Sequence, residues 1–187
     1  MAAGDSGGAA VALLYALRYP LALAGLILEF CYASLAPALA DPDSRFSPLH
    51  PQNQVAIASI APPPPRVPGH TLQWVQLPDA RWLGWHENTP WGIWPFEMSD
   101  RIQALMEELR FFDVRDRLAE IQLPTLIVAG RHDDLIPLRH SQLVTDRIAG
   151  AQLVVLEHSG HAVAEEDQEH YRQTVQAFIT QRVRARS

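Results

Sequence analysis

A single cysteine, Cys31, occurs among the 187 residues, so no disulfide can close within the chain, and a reducing, cytoplasmic setting is expected. Positive charge is also scarce. Fifteen Lys and Arg stand against 21 Asp and Glu, a formal net charge of -6, which leaves no basic field to attract phosphate backbones or anionic lipid. Neither a nucleic-acid partner nor a membrane is therefore expected. The apolar stretch Ala9 to Ala40 lacks the positive n-region of a signal peptide, offering only Asp5 before it. Arg18-Tyr19-Pro20 interrupts that stretch before it reaches spanning length. No His-Glu-x-x-His occurs, and His158 and His161 have no third histidine or carboxylate at a recognised ligand spacing, so neither metal nor cofactor is expected. Disorder is excluded by 48% hydrophobic and 19% charged residues. At about 150 residues per domain, the length suits one compact unit with an insertion.

What is present alternates in period. Gly7 to Tyr19 is small and apolar on nearly every side and reads as a helix buried from end to end, stopped by Pro20. Leu23 to Phe30 is a nearly continuous apolar run, the pattern of an interior parallel strand. Residues 36 to about 98 hold most of the prolines, the run Pro62 to Pro65, and all five tryptophans between Trp74 and Trp94, and read as an insertion over a core. Ser99 is an N-cap candidate with Asp100 in the first turn, and Ile102, Leu105, Met106 and Leu109 follow at helical spacing. After Pro124 come a strand at Thr125 to Ala129, a helix over about Leu138 to Ile148 and a strand at Gln152 to Leu156. A last helix carries Tyr171, Val175, Phe178 and Ile179 on one face, and its Arg182 to Arg186 end suits a solvated terminus. The alternation predicts an α/β fold with three or four parallel strands. The expected parts are 1–35 and 116–187 for the core and 36–115 for the insertion.

Three short motifs could carry chemistry. Gly4-Asp5-Ser6-Gly7-Gly8 matches Gly-x-Ser-x-Gly immediately before the first helix. A serine on a strained strand-to-helix turn needs small neighbours, and the helix N-terminus offers N–H groups, including that of Gly7, to a forming oxyanion. A Gly/Ser-rich tail would give the same pentapeptide without that role. Asp133, in Gly130 to Pro137, follows the strand ending at Ala129, the edge where open α/β sheets place their sites. An Asp there also serves as a turn or cap residue, and Asp134 is the candidate for that duty. Ser159-Gly160-His161 follows the next strand, which delivers His161 to the same edge. The same serine pentapeptide occurs in chymotrypsin-like proteases, but those need His and Asp upstream, and only five residues precede Ser6. The observed order is serine, acid, histidine, that of α/β-hydrolases. Cys31 stands at the end of a strand near this edge and reads as inert packing.

The chain resembles the second half of an α/β-hydrolase, in the manner of the proline iminopeptidase and aclacinomycin methylesterase-like branch. The residues that carry the resemblance are Gly4 to Gly8 with Ala12 to Pro20, Phe112 to Leu118, Leu123 to Ile127, Gly130 to Pro137, and Ser159-Gly160-His161. They span roughly residues 1 to 34 and 110 to 182. The resemblance implies that Ser6 is the nucleophile, His161 the general base, Asp133 the acid that orients it, and Gly4, Gly7 and Gly8 the elbow and oxyanion glycines. It implies hydrolysis of a small-molecule ester or amide through an acyl-enzyme. It also implies a cap in which Trp85, Trp91 and Trp94 line the substrate pocket, although a tryptophan in a Pro-rich stretch serves as well for simple packing. Trp85-His86-Glu87 loosely matches the cap segment where iminopeptidases hold an amine.

The resemblance also implies that the half of the fold preceding the elbow is missing. Met1-Ala2-Ala3 would be all that remains of the preceding strand, and Leu23 to Phe30 would be an open apolar edge needing a complementing chain or a homodimer to cover it. The second oxyanion donor would lie in that half, and losing one donor lowers the rate by about 10² to 10³. A gene model begun at an internal Met, a natural truncation and a subunit completed by another chain would each give this pattern, the first being favoured because the triad and cap are intact. A non-catalytic hydrolase remnant that binds a ligand or partner is the alternative to an enzyme.

Overall fold

The structure, a computed structural model, describes residues 1–60, 72–86, 89–94 and 97–183. The Pro62 to Pro65 run, Glu87 and the side chains of the arginine-rich end from Arg182 to Arg186 lie outside the described residues. The chain divides into two compact units, one made of Met1–Ser34 with Asp113–Ser187 and one of Leu35–Phe112. In chain order the first unit opens with β1 (Ala2–Asp5), α1 (Gly7–Arg18) and β2 (Leu26–Glu29). The second unit follows with α2 (Leu35–Leu39), α3 (Pro51–Ala58), β3 (Leu72–Gln76), β4 (Trp82–His86), β5 (Thr89–Trp94) and α4 (Asp100–Leu109). The first unit then resumes with β6 (Thr125–Gly130), α5 (Leu138–Arg147), β7 (Gln152–Leu156) and α6 (Gln168–Phe178).

The first unit is built on a four-stranded parallel sheet in the order β1-β2-β6-β7. β2 and β6 lie inside it, which is why their sequences are apolar runs without alternation: Leu26, Ile27 and Leu28, and every residue of Thr125–Gly130, are buried. Ile27, Leu126, Val128, Leu156 and Phe178 form one core cluster, and Tyr171, Val175 and Ile179 pack against it from the last helix and its extension. The face expected of that helix is the face it buries.

Three expectations change in this unit. β2 begins at Leu26 rather than Leu23, because Pro20–Ala22 forms a single 3-10 turn after α1. The expected open edge at Leu23 to Phe30 is not found: Ala2, Ala3, Gly4 and Asp5 pair in parallel with Leu26, Ile27, Leu28 and Glu29. Four residues suffice because β2 is itself only four long, and β1 is the edge strand among the described residues. Nor is α1 buried from end to end. Ala9, Ala10, Ala12, Leu13 and Ala16 are buried, whereas Val11, Leu14 and Tyr15 are 59%, 47% and 44% exposed. A helix made of apolar residues all round carries no pattern to say which face meets the sheet, and here the small residues do.

The second unit, which takes up most of the expected insertion, carries a separate three-stranded antiparallel sheet, β3-β4-β5, which the sequence reading did not assign. Leu77, Leu83, Trp85 and Ile93 form its core, with Ala56, Ile57 and Ile60 packed on them. Gly84 and Gly92 leave room for indole rings: a Cβ on Gly84 would stand 2.8 Å from Trp74 and one on Gly92 2.4 Å from Trp94. Ser99 stands at the N-cap position of α4, but its side chain makes no capping bond.

Among the described residues no helix is long and apolar enough to cross a membrane.

Ile127 is fully buried at the centre of β6, so Ile127→Ala should lower the free energy of unfolding by about 2–5 kcal/mol, read by urea denaturation. A loss under about 0.5 kcal/mol would contradict this placement of the core.

Candidate active site

Ser6, Asp133 and His161 come from three loops at the C-terminal ends of β1, β6 and β7, and the fold of the first unit brings them together. The parallel sheet accounts for this, since adjacent parallel strands deliver the residues that follow them to one edge.

Ser6 sits between β1 and α1 with φ 52 and ψ -116, a backbone conformation that side chains rarely adopt. Its N–H donates to the Glu29 carbonyl at 2.9 Å, which ties the turn to the end of β2. It occupies the N-cap position of α1, yet its side chain makes no capping bond. The hydroxyl lies instead 3.0 Å from His161 Nε2.

The elbow glycines are not equivalent. A Cβ on Gly4 would lie 2.2 Å from the Gly8 carbonyl oxygen, so β1 and α1 can approach only with glycine there. A Cβ on Gly7 or Gly8 would meet nothing within 4 Å. The expectation that all three are needed for steric reasons is therefore corrected: the close approach is paid for at Gly4 alone. Gly7 and Gly8 open α1, where first-turn N–H groups have no intrahelical acceptor.

Asp133 performs two tasks. Its Oδ1 accepts from Leu135 N at 3.0 Å and Ile136 N at 2.8 Å, which shapes the turn after β6, while Oδ2 lies 2.9 Å from His161 Nδ1. The turn duty expected of Asp134 thus belongs to Asp133, and the N-cap of α5 is Pro137. One carboxylate has two oxygens, and the buried Asp133 turns one of them into its own turn and the other toward His161. Because a carboxylate only accepts, Nδ1 of His161 carries the proton and Nε2 is left to accept from the Ser6 hydroxyl.

Three neighbours of this arrangement had no signal in the sequence. Phe30, with φ 47, places its ring 5.5 Å from the His161 ring. Glu29 supplies the carbonyl under Ser6, and its carboxylate accepts from Tyr171 Oη at 2.5 Å. Burial pushes the Tyr171 phenol up to about 12, helped by the Glu29 carboxylate. Asp5, beside Ser6, is the third. Burial raises its carboxyl above the ordinary value of 3.8, His161 acting against that and Asp133 with it. A sequence offers only a weak hint of such contacts, the apolar run of β2 ending in Glu-Phe where the edge begins.

The other residues singled out are placed as follows. Cys31 is fully buried, with Sγ 3.7 Å from Ser141 Oγ, and burial pushes its thiol up to about 12. Trp85 and Trp94 are buried in the second unit, and the Trp91 ring stacks on Trp94 at 5.2 Å. Among the described residues no group of three His, Cys, Asp or Glu side chains is placed to hold a metal ion.

A family model described as "Alpha/beta hydrolase family" matches residues 3–177. "Putative carbamate hydrolase RutD" of Pseudomonas savastanoi pv. phaseolicola is 37% identical over 84 residues, 45% of this chain and 32% of that protein. "Proline iminopeptidase" of Saccharolobus solfataricus is 31% identical over 78 residues, 42% of this chain and 25% of that protein. These matches span between a quarter and a third of the length of the two relatives. Among solved structures, an alpha/beta fold family hydrolase from Bacillus anthracis str. Sterne superposes with a TM-score of 0.67 at 22% identity, over 94% of this chain and 66% of that one.

The glycine geometry separates two substitutions that look alike in sequence. Gly4→Ala should destabilise by roughly 1–3 kcal/mol or prevent folding, and Gly8→Ala should be neutral or stabilising by up to about 1 kcal/mol, as urea denaturation would read. Equal effects would contradict the close approach of β1 to α1.

Proposed function

The chain belongs to the alpha/beta hydrolase family, and from that premise we propose that it is a serine hydrolase acting on a small-molecule ester or amide through an acyl-enzyme on Ser6. The observation that carries the reading is the pair of bonds to one imidazole, 3.0 Å from His161 Nε2 to Ser6 Oγ and 2.9 Å from His161 Nδ1 to Asp133 Oδ2.

In this reading His161 Nε2 takes the hydroxyl proton as Ser6 Oγ bonds to the substrate's carbonyl carbon. The carbonyl electron pair moves to its oxygen, and the first-turn N–H of Gly7, backed by the α1 dipole, stabilises that charge. The oxyanion then collapses, the bond to the leaving alcohol or amine breaks, and the imidazolium returns the proton to it. Water repeats the sequence at the acyl group, giving an acid and restoring Ser6. Asp133 Oδ2 holds the Nδ1–H proton throughout, so that Nε2 faces the serine in the right tautomer and the imidazolium is stabilised as it forms. Cys31 is excluded as the nucleophile by its burial and by a thiol held near 12.

The relatives support the breadth of the substrate class as well as the chemistry. The names of the two relatives describe a putative carbamate hydrolase and a proline iminopeptidase, and carbamates and peptides both contain a carbonyl carbon bonded to nitrogen. These names support the amide side of the proposed class, and the ester side rests on the same acyl-transfer chemistry at Ser6.

A fluorophosphonate probe tests this directly. Peptide mass spectrometry should find the adduct on Ser6, with none in Ser6→Ala, and His161→Ala or Asp133→Asn should slow labelling by about three to four orders of magnitude. Folded protein that stays unlabelled, or that is labelled equally with and without His161, would make the chain a non-catalytic member of the family.

A further inference from the structure

The loop that carries His161 is short and irregular, running from the end of β7 to a 3-10 turn at Glu165–Asp167. An imidazole that must meet an acid on one side and a hydroxyl on the other has to be held to within about 0.5 Å. The source of that rigidity is Asp167. It occupies the N-cap position of α6, where an aspartate ordinarily accepts from the first turn of its own helix, but its side chain makes no such bond. The carboxylate is turned back toward β7 instead. Oδ2 accepts from His158 N at 2.8 Å and from Ser159 Oγ at 2.7 Å, and Oδ1 lies 3.1 Å from His158 Nδ1.

The connection continues past the carboxylate. Ser159 is fully buried, and its Oγ accepts from Ala164 N at 3.0 Å. Asp167 and Ser159 together therefore fasten the chain at 158–159 and again at 164, with His161 between the two fixed points. The Ser159 carbonyl accepts from His132 N at 2.9 Å, which joins the same loop to the residue before Asp133. Burial acts to raise the Asp167 carboxyl, but the bonds from Ser159 and His158 outweigh it and hold the group at about 2, so it remains a charged acceptor.

We propose that Asp167, acting through Ser159, is a positioning residue that sets His161 at its distance from Asp133 and Ser6. It touches neither substrate nor reacting atoms. The proposal rests on the serine-hydrolase reading for its consequence in catalysis, and on the hydrogen-bond network for its consequence in structure. Asp167→Ala removes three contacts and leaves the buried Ser159 hydroxyl without its acceptor, and a displaced imidazole loses rate in the chemical step before it loses binding.

The experiment has two readouts on the full chain. The first is inactivation by a fluorophosphonate, resolved into its maximal rate and its half-saturation. Asp167→Ala should lower the maximal rate by about 10- to 100-fold with little change in half-saturation, by analogy with the loss of other outer-shell partners. Ser159→Ala, which keeps the bond from His158 N to Asp167, and Asp167→Asn, which keeps the shape and one acceptor, should fall between that variant and the parent. The second readout is the downfield Nδ1–H proton resonance of His161, assigned by its loss in His161→Ala. It should be shifted or exchange-broadened in Ser159→Ala and Asp167→Asn even where circular dichroism shows a native fold. Folded variants that keep both the parent resonance and the parent rate would overturn the proposal. A parent chain that is not labelled at Ser6 would overturn the hydrolase reading and not this one, which the resonance then decides alone.

Discussion

A side chain on Gly130 would put its Cβ 2.0 Å from the carbonyl oxygen of Gly160 and 2.6 Å from that of Ser159. The loops after β6 and β7 run this close because glycine stands at the last residue of β6. Everything at the edge depends on the contact. It allows His132 N to reach the Ser159 carbonyl, which places Asp133 and His161 at hydrogen-bond distance although 28 positions separate them. A bulkier residue at 130 would push the histidine loop away from the acid. The sheet supplies adjacent strands, but a parallel sheet alone leaves successive loops about 5 Å apart at their origins and indifferent to each other's conformation.

The same edge shows how few groups hold the arrangement. Asp133 shapes its own turn with one oxygen and faces His161 with the other. Glu29 fixes the Ser6 N–H with its carbonyl and meets Tyr171 with its carboxylate. Ser6 and Asp167 both stand where a helix would use them as caps, and neither caps. A cap is worth about 1 kcal/mol, and at this edge Ser6 and Phe30 hold positive φ angles at a further cost of about 1–3 kcal/mol each. Such strain is retained where the surrounding packing over-determines it, and the edge is anchored on the buried residues Leu26 to Leu28 of β2 and on the wholly buried β6.

Much of the first unit could be read from the sequence, for physical reasons that also explain the failures. Leu23 to Phe30 and Thr125 to Ala129 read as interior strands because they are nearly continuous apolar runs, and the second is also bounded by Pro124 and Gly130. The order Ser6, Asp133, His161 was legible because each follows a strand or opens a helix beside a glycine. What could not be read was the use of a side chain where two local roles compete. Asp133 and Asp134 are equivalent by composition, and no motif in the sequence singles out Asp167. Which oxygen faces which loop is decided by the packing of β6 against β7. Likewise α1, apolar all round, gave no sign that Val11, Leu14 and Tyr15 would face outward. The sheet of the second unit was hidden by its prolines, whose usual meaning is irregular chain, although its tryptophans favour strands. Its register depends on indole rings lying over Gly84 and Gly92, a tertiary fact.

The central claim is that Ser6 Oγ is the attacking atom and His161 the base beside it. The most direct measurement is a crystal structure of the chain after reaction with a fluorophosphonate. The expected result is phosphorus bonded to Ser6 Oγ, a phosphonyl oxygen directed at the N–H of Gly7, and His161 Nε2 within hydrogen-bond distance of the adduct while Nδ1 still faces Asp133. An adduct on another residue, or a Ser6 adduct with His161 turned away from both Asp133 and the phosphonate, would contradict it.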